Sequence, residues 1–108
     1  MIRALRAARL LAAAVLASTL LACDGQRCSE GVVSDATTQA PLEGVLCRVV
    51  WGGEQQVTTD ATGHYVVCGY VSPCDTDGCP AIQVEFTKDG YAPVTIQNPA
   101  DVALDPLP

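Results

Sequence analysis

Apolar and polar residues alternate along several short stretches of this chain. The clearest examples are residues 45–51 and residues 81–87. A period of two is typical of a β-strand that has one face in a hydrophobic core. In the first stretch, the positions that we expect to face the core are Val45, Cys47, Val49 and Trp51.

Turn-forming residues separate the alternating stretches at intervals of roughly 8–12 residues, which is typical of a β-sandwich. The predicted strands cover residues 31–35, 45–51, 54–59, 64–70, 81–87, 91–97 and 101–105. Asp60-Ala61-Thr62-Gly63 is the clearest turn, because the Asp carboxylate can accept backbone N–H bonds and the glycine can reverse the chain. Gly52-Gly53 predicts a two-residue hairpin, and residues 105–108 predict a frayed tail. The pattern therefore predicts an all-β, seven-stranded domain over residues 31–105.

The first 22 residues differ from the rest of the chain. Arg3, Arg6 and Arg9 give a positive start, and a mostly apolar run follows over residues 10–21. That run is shorter than the ~20 residues of a membrane-spanning helix. Residues 1–22 therefore have the pattern of a cleaved export signal.

The end of this signal, Leu20-Leu21-Ala22-Cys23, resembles the lipobox of bacterial lipoproteins. The resemblance implies cleavage before Cys23 and attachment of acyl chains to its thiol, which would anchor the chain to a membrane. An ordinary secretory signal that happens to end near a cysteine is the alternative. Residues 23–30 are polar and predict a short tether between anchor and domain.

Removal of residues 1–22 would change the charge of the chain. Three of the six basic residues lie in that segment, whereas all 12 acidic residues follow it, so three positive and 12 negative charges would remain, a net charge of −9. Such a surface repels phosphate backbones, which argues against nucleic-acid binding.

Five further cysteines follow Cys23, and exported chains with this density are normally oxidised. They are Cys28, Cys47, Cys68, Cys74 and Cys79. Five is an odd number, so at most two bridges form and one thiol is left over. A bridge from Cys74 to Cys79 would close a short loop, and a bridge from Cys68 into that loop is the alternative. Cys47 lies on the predicted core face, as a half-cystine or as a small apolar residue.

Four turn and strand motifs occur in order along the chain. They are Gly31-x-Val33-x-Asp35, Pro41-Leu42-x-Gly44-Val45, Thr58-Thr59-Asp60-Ala61-Thr62-Gly63-His64-Tyr65 and Lys88-Asp89-Gly90-Tyr91. In these motifs and their order, the chain resembles carboxypeptidase regulatory-like domains, which are transthyretin-like β-sandwiches, over residues 30–105. The cysteine-rich loop over residues 74–79 departs from the family pattern. The resemblance implies an accessory or interaction module and brings no catalytic residues.

Residues that could carry other chemistry form weak patterns. Asp75 and Asp77 resemble part of a calcium loop but lack its remaining ligands, and the cysteines lack a C-x-x-C pair that would favour zinc. His64 is the only histidine, at a position predicted to face solvent, and no serine lies in a nucleophile elbow. We therefore expect no metal site, no cofactor and no enzymatic activity.

The sequence thus predicts a non-catalytic, lipid-anchored module of the bacterial cell envelope, on the inner or the outer membrane. Its partners would be the membrane, through acyl chains on Cys23, and an envelope protein or glycan. Glycan binding is the alternative function, because aromatic side chains on a flat face can stack on sugars. It requires that Trp51 or Tyr70 be exposed, whereas Tyr65 is expected in the core and Tyr91 in a turn.

Overall fold

The computed structural model of this protein describes residues 25–51, 53 and 55–108. The predicted signal over residues 1–22 and the predicted lipidation site at Cys23 lie outside the described residues. The described part of the chain contains no helix with the length and apolar character needed to cross a membrane.

The described residues form seven strands in two sheets, as the alternation predicts. The strands are β1 (Gly25–Asp35), β2 (Leu46–Trp51), β3 (Gln56–Thr58), β4 (His64–Val71), β5 (Gln83–Thr87), β6 (Val94–Gln97) and β7 (Val102–Leu104). One sheet has the order β4-β1-β7, with β1 antiparallel to β4 and parallel to β7. The other is antiparallel, with the order β3-β2-β5-β6. The protein is therefore an all-β sandwich.

The core lies between the two sheets and consists of the inward-facing residues of their strands. Its largest fully buried side chains are Tyr65 and Phe86, whose rings meet edge to face with centroids 5.3 Å apart. The Tyr65 hydroxyl donates a 2.6 Å hydrogen bond to the carbonyl of Ala100, so its polar end is satisfied at the edge of the core. Burial raises the pKa of this phenol, which keeps it protonated as a donor.

The prediction of a polar tether is wrong for residues 25–30, which belong to β1. Gly25 pairs with Val71, and the antiparallel register continues for eight residue pairs as far as Val32 and His64. The prediction failed because the segment is polar on its outer face. Its residues pair with β4 through their backbone, so few apolar side chains are needed. The folded domain therefore includes residues 25–30 and is not limited to residues 31–105.

Trp51 was predicted to face the core, but its side chain is 50% exposed. The register between β2 and β5 shifts after Val49, so that Val50 and Trp51 together oppose Gln83. Such a bulge reverses the alternation beyond it. The predicted two-residue hairpin at Gly52-Gly53 includes Gly52, which lies outside the described residues; the last described pair of the β2–β3 ladder is Arg48 with Gln56.

The turn at Asp60 forms as predicted. Asp60 Oδ1 accepts hydrogen bonds from the hydroxyl of Thr62 at 2.6 Å and from the backbone N–H groups of Thr62 and His64. These bonds, the Thr62 hydroxyl first, hold the pKa of Asp60 below its ordinary value. Gly63 has a φ of 77°, the left-handed conformation that brings the chain back into β4.

Two predictions near the carboxyl terminus are corrected. β6 begins at Val94 and not at Tyr91, which fits the position of Pro93, since proline has no N–H to give to a strand ladder. The tail was predicted to fray, but the N–H of Leu107 donates a 2.9 Å bond to the carbonyl of Gly90. The last residues therefore extend the domain beyond residue 105.

Asp35, at the end of β1, joins three segments of the chain. Its Oδ1 accepts the backbone N–H groups of Thr37 and Thr38, and its Oδ2 accepts the hydroxyl of Tyr91 at 2.8 Å. The Thr38 amide and then the Tyr91 hydroxyl are the main causes that lower the pKa of Asp35. The same contact raises the pKa of Tyr91. The ionised carboxylate thereby connects β1 to the turn after β5.

We expect the substitution Tyr91→Phe to make the protein less sensitive to acid. A carboxylate whose pKa is lowered by folding stabilises the fold above its unfolded pKa, and this contribution disappears as the pH falls through the folded pKa. The variant should therefore have a lower urea midpoint than the unsubstituted protein at pH 7, and the gap should narrow below about pH 4.

The matched control is Tyr70→Phe, which removes an exposed phenol hydroxyl instead. It should leave the urea midpoint unchanged at both pH values. A gap for Tyr91→Phe that is equally wide at pH 7 and pH 3 would contradict the role given to Asp35.

Candidate functional site

The cysteines of the described residues form two disulfides. Cys28 and Cys68 are directly opposite each other on β1 and β4, and their bridge lies on the outer face of the three-stranded sheet. Cys74 and Cys79 form the other disulfide and close the short loop after β4, which is the first of the two pairings considered from the sequence. The second alternative, a bridge from Cys68 into that loop, does not form because Cys68 faces Cys28 instead.

Cys47 keeps a free thiol in the core. Burial raises the pKa of this thiol to about 11. The thiolate is the reactive form of cysteine, so Cys47 is held in its inert, protonated form. It behaves as a small apolar residue, which is one of the two roles that its position in the alternating pattern allows.

The loop closed by Cys74 and Cys79 packs on the first residues of β1. A Cβ atom at Gly25 would overlap the sulfur atoms of both cysteines, so the loop lies directly against the strand backbone. The guanidinium of Arg27 donates hydrogen bonds of 3.3 Å from Nε and 2.9 Å from Nη2 to the carbonyl of Cys79. The beginning of β1 is thus held by sheet pairing on one side and by this loop on the other.

The two exposed aromatic side chains lie near the same end of the sandwich. Tyr70 is 65% exposed and pairs with Gln26, the second residue of β1. A Cβ atom placed on Gly53 would lie 3.6 Å from the backbone nitrogen of Tyr70, and Trp51 precedes Gly53 by two residues. Trp51 and Tyr70 belong to different sheets, but both lie close to the point where β1 begins.

We call this part of the surface the β1 end. It comprises Gly25, Arg27, Trp51, Tyr70 and the loop over residues 72–80. The exposed side chains of this loop include Asp75 and Asp77. The β1 end thus combines two exposed aromatic rings with acidic groups. Sequence patterns predicted its loop, but they did not indicate that Trp51 or the start of β1 would be near it.

His64 is the only imidazole of the chain, and it lies on the outer face of the three-stranded sheet. Its Nε2 is 2.7 Å from Oε2 of Glu30, and both side chains are largely exposed. Ser29, which precedes Glu30 on β1, is buried on the opposite face of the strand. The His64–Glu30 pair is therefore a surface ion pair when the histidine is protonated, on the outer face of the three-stranded sheet.

Asp75 and Asp77 do not form a calcium loop with other ligands. Asp75 Oδ1 accepts the backbone N–H of Asp77 at 2.9 Å, and the backbone of Asp75 bridges to Gly78. Among residues 25–51, 53 and 55–108, no group of three or more His, Cys, Asp or Glu side chains is placed to hold a metal ion. The carboxylate of Asp75 shapes a tight turn.

An open cleft of about 490 Å³ lies at the opposite end of the sandwich from the β1 end. It is lined by Gly44, Leu46, Thr87, Lys88, Asp89, Tyr91 and Pro93. Its ammonium group, Lys88 Nζ, donates a 2.8 Å bond to the carbonyl of Glu43, and the Tyr91 hydroxyl is bonded to Asp35. The Lys88 ammonium and the Tyr91 hydroxyl are thus engaged by the fold itself.

Comparisons with known proteins do not assign this chain to a family. No protein-family model matches the sequence. No curated protein matches it either.

We expect the two disulfides to differ in their effect on stability. Cys28 and Cys68 are 40 residues apart, and Cys74 and Cys79 are five residues apart. A longer closed loop restricts the unfolded chain more, so replacing the first pair by serine should lower the free energy of unfolding by about 4 kcal/mol, and replacing the second pair by about 2 kcal/mol. Urea unfolding of the two double variants measures both values.

A Cys47→Ala variant is the control, since it removes a free thiol and no bridge. It should behave like other small core truncations and keep both disulfides in a non-reducing peptide map. Equal losses from the two double variants would contradict the loop-length argument.

Proposed function

We propose that this chain is a non-catalytic, lipid-anchored β-sandwich of the bacterial cell envelope that serves as a structural or interaction module. The observation that carries the proposal is the order of features at the amino terminus. A positive segment, a short apolar run and Leu20-Leu21-Ala22-Cys23 are followed, after Asp24, by the first residue of the folded domain. A lipid anchor would thus connect directly to a stable sheet.

The two disulfides support the exported location. Disulfides persist in oxidising compartments and are rare in the cytosol. The Cys28–Cys68 bridge lies on an outer sheet face, where cytosolic reductants would reach it. A domain of this size also benefits from cross-links, because its core is modest. Both arguments favour the periplasm or the cell exterior.

The position of His64 supports a non-catalytic role. Its imidazole and the Glu30 carboxylate form a pair on an exposed sheet face, where water competes for both groups. General acid–base catalysis works in sites that bury and orient a substrate. Interaction through a surface is the role that the described side chains favour.

The proposal includes membership of the carboxypeptidase regulatory-like family. The glycines of the resembling motifs lie in connections between strands of this fold: Gly44 precedes β2, Gly63 precedes β4, and Gly90 lies between β5 and β6. The sandwich fold is compatible with this family, and the resemblance in these turns is what supports the assignment.

Metabolic labelling with a palmitate analogue tests the anchor. The full chain, expressed in a bacterial host, should incorporate the label, fractionate with membranes and lose residues 1–22. A Cys23→Ser variant should lose the label, whereas a Cys47→Ser variant should keep it. Label that persists in Cys23→Ser, or none on the unsubstituted protein, would refute lipid attachment at Cys23.

A second candidate function is binding of an envelope glycan. One observation favours it: half of the Trp51 side chain is exposed, next to the polar Gln83. An exposed indole ring offers a face on which a sugar ring can stack. Peptidoglycan and isolated envelope polysaccharides should then retain the unsubstituted protein in a pull-down, and they should not retain a Trp51→Ala variant. Equal retention of both would exclude Trp51 as the sugar platform.

A further inference from the structure

The folded domain begins very close to the proposed lipid anchor. Only Asp24 separates Cys23 from Gly25, the first residue of β1. Two residues of extended chain span at most about 7 Å. If Cys23 carries acyl chains, as proposed above, the start of β1 is therefore held within about 7 Å of the anchored residue, and this inference rests on that proposal.

The start of β1 is a fixed part of the fold. Gly25 pairs with Val71 and lies against the Cys74–Cys79 bridge, and Arg27 is bonded to the carbonyl of Cys79. Peeling residues 25–30 away to make a tether would break the ladder with β4 and expose the loop. The orientation of β1 at the anchor consequently determines which end of the sandwich faces the bilayer.

The end that would face the bilayer carries both exposed aromatic side chains of the described residues. Trp51 is 50% and Tyr70 65% exposed. The chain's other aromatic rings, those of Tyr65, Phe86 and Tyr91, are buried or half-buried. Trp and Tyr are enriched at membrane–water interfaces because an apolar ring and a polar N–H or O–H suit the headgroup layer.

The charge at the β1 end indicates which kind of surface it fits. Asp75 and Asp77 are exposed there, and the guanidinium of Arg27 is engaged with Cys79. Anionic lipids attract basic segments and repel acidic ones. The β1 end is thus suited to a surface of zwitterionic lipids.

The geometry points to direct seating of this end on the bilayer: with Cys23 acylated, the β1 end rests on a zwitterionic lipid surface, with Trp51 and Tyr70 in the headgroup layer. A membrane fits the arrangement better than a glycan does. The two rings belong to different sheets and share an end of the sandwich, so a broad surface meeting that end contacts both. A single sugar chain stacked on one sheet face would contact only one of them.

Trp51 is the only tryptophan of the chain, which makes its fluorescence a direct reporter. The full chain, processed and acylated in a bacterial host, is reconstituted into phosphatidylcholine vesicles with and without brominated acyl chains. We expect the bromolipid to remove roughly half of the Trp51 emission, and the emission to shift to shorter wavelength than in the detergent-free Cys23→Ser protein. Vesicles rich in phosphatidylglycerol should give weaker quenching.

The matched control moves the reporter to the other end of the sandwich. Leu107 is exposed, and its N–H is bonded to Gly90 beyond the end of β5 that is remote from Trp51. In Trp51→Phe/Leu107→Trp, emission should be unaffected by bromolipid. A Gly-Ser spacer of about ten residues inserted between Asp24 and Gly25 should reduce the quenching of Trp51, since the domain is then free to leave the surface.

Flotation of the vesicles separates the two proposals. Protein that does not float and carries no palmitate label would refute the anchor and the seating together. Protein that floats while Trp51 stays unquenched, or in which the reporters at positions 51 and 107 are quenched alike, would overturn the seating alone. A shift of the Trp51 emission by soluble peptidoglycan fragments, with no response to bromolipid, would assign the ring to a glycan and likewise overturn it.

Discussion

The antiparallel pairing of β1 with β4 is the constraint on which the rest of the structure depends. It extends over eight residue pairs, from Gly25 opposite Val71 to Val32 opposite His64, and it is the longest ladder of the fold. The Cys28–Cys68 bridge fastens its middle. Beyond the ladder, the same strand pairs with β7, so β1 is the centre of its sheet. The length of β1 thereby determines where the domain begins.

This pairing links the amino terminus to the surface chemistry. Because β1 runs to Gly25, the loop closed by Cys74 and Cys79 has a backbone to pack on, and Arg27 has a carbonyl to bind. Because β4 ends at the same place, Tyr70 lies beside the beginning of the domain. The β2–β3 connection brings Trp51 to that end as well. A strand that started at residue 31 would leave none of these groups near the proposed anchor.

The turns that close the sandwich are held by short side chains bonded to the backbone. Asp60 uses one oxygen to accept three hydrogen bonds, and Asp35 uses both oxygens to join β1 to Tyr91. The hydroxyl of buried Thr59 accepts a hydrogen bond from the N–H of Val45 and donates one to the carbonyl of Leu42. Such contacts give a small core its defined connections, since buried polar groups must find partners. They also explain how a domain with few large apolar residues keeps a single arrangement of its strands.

The sequence by itself determined the class of the fold, the seven strands, the turn at Asp60 and the apolar face of β2 as far as Val49. These follow from local chemistry, namely side-chain alternation along a strand and hydrogen bonding within a few residues. Only the tertiary structure decided the start of β1, the partner of Cys28 and the exposure of Trp51. Each of these depends on pairing between distant segments: a polar strand edge is recognised only against β4, and a bulge is visible only in the register of two strands. The alternation of apolar and polar residues predicts neither feature, because it indicates which face of a strand a residue occupies and not which strand will pair with it.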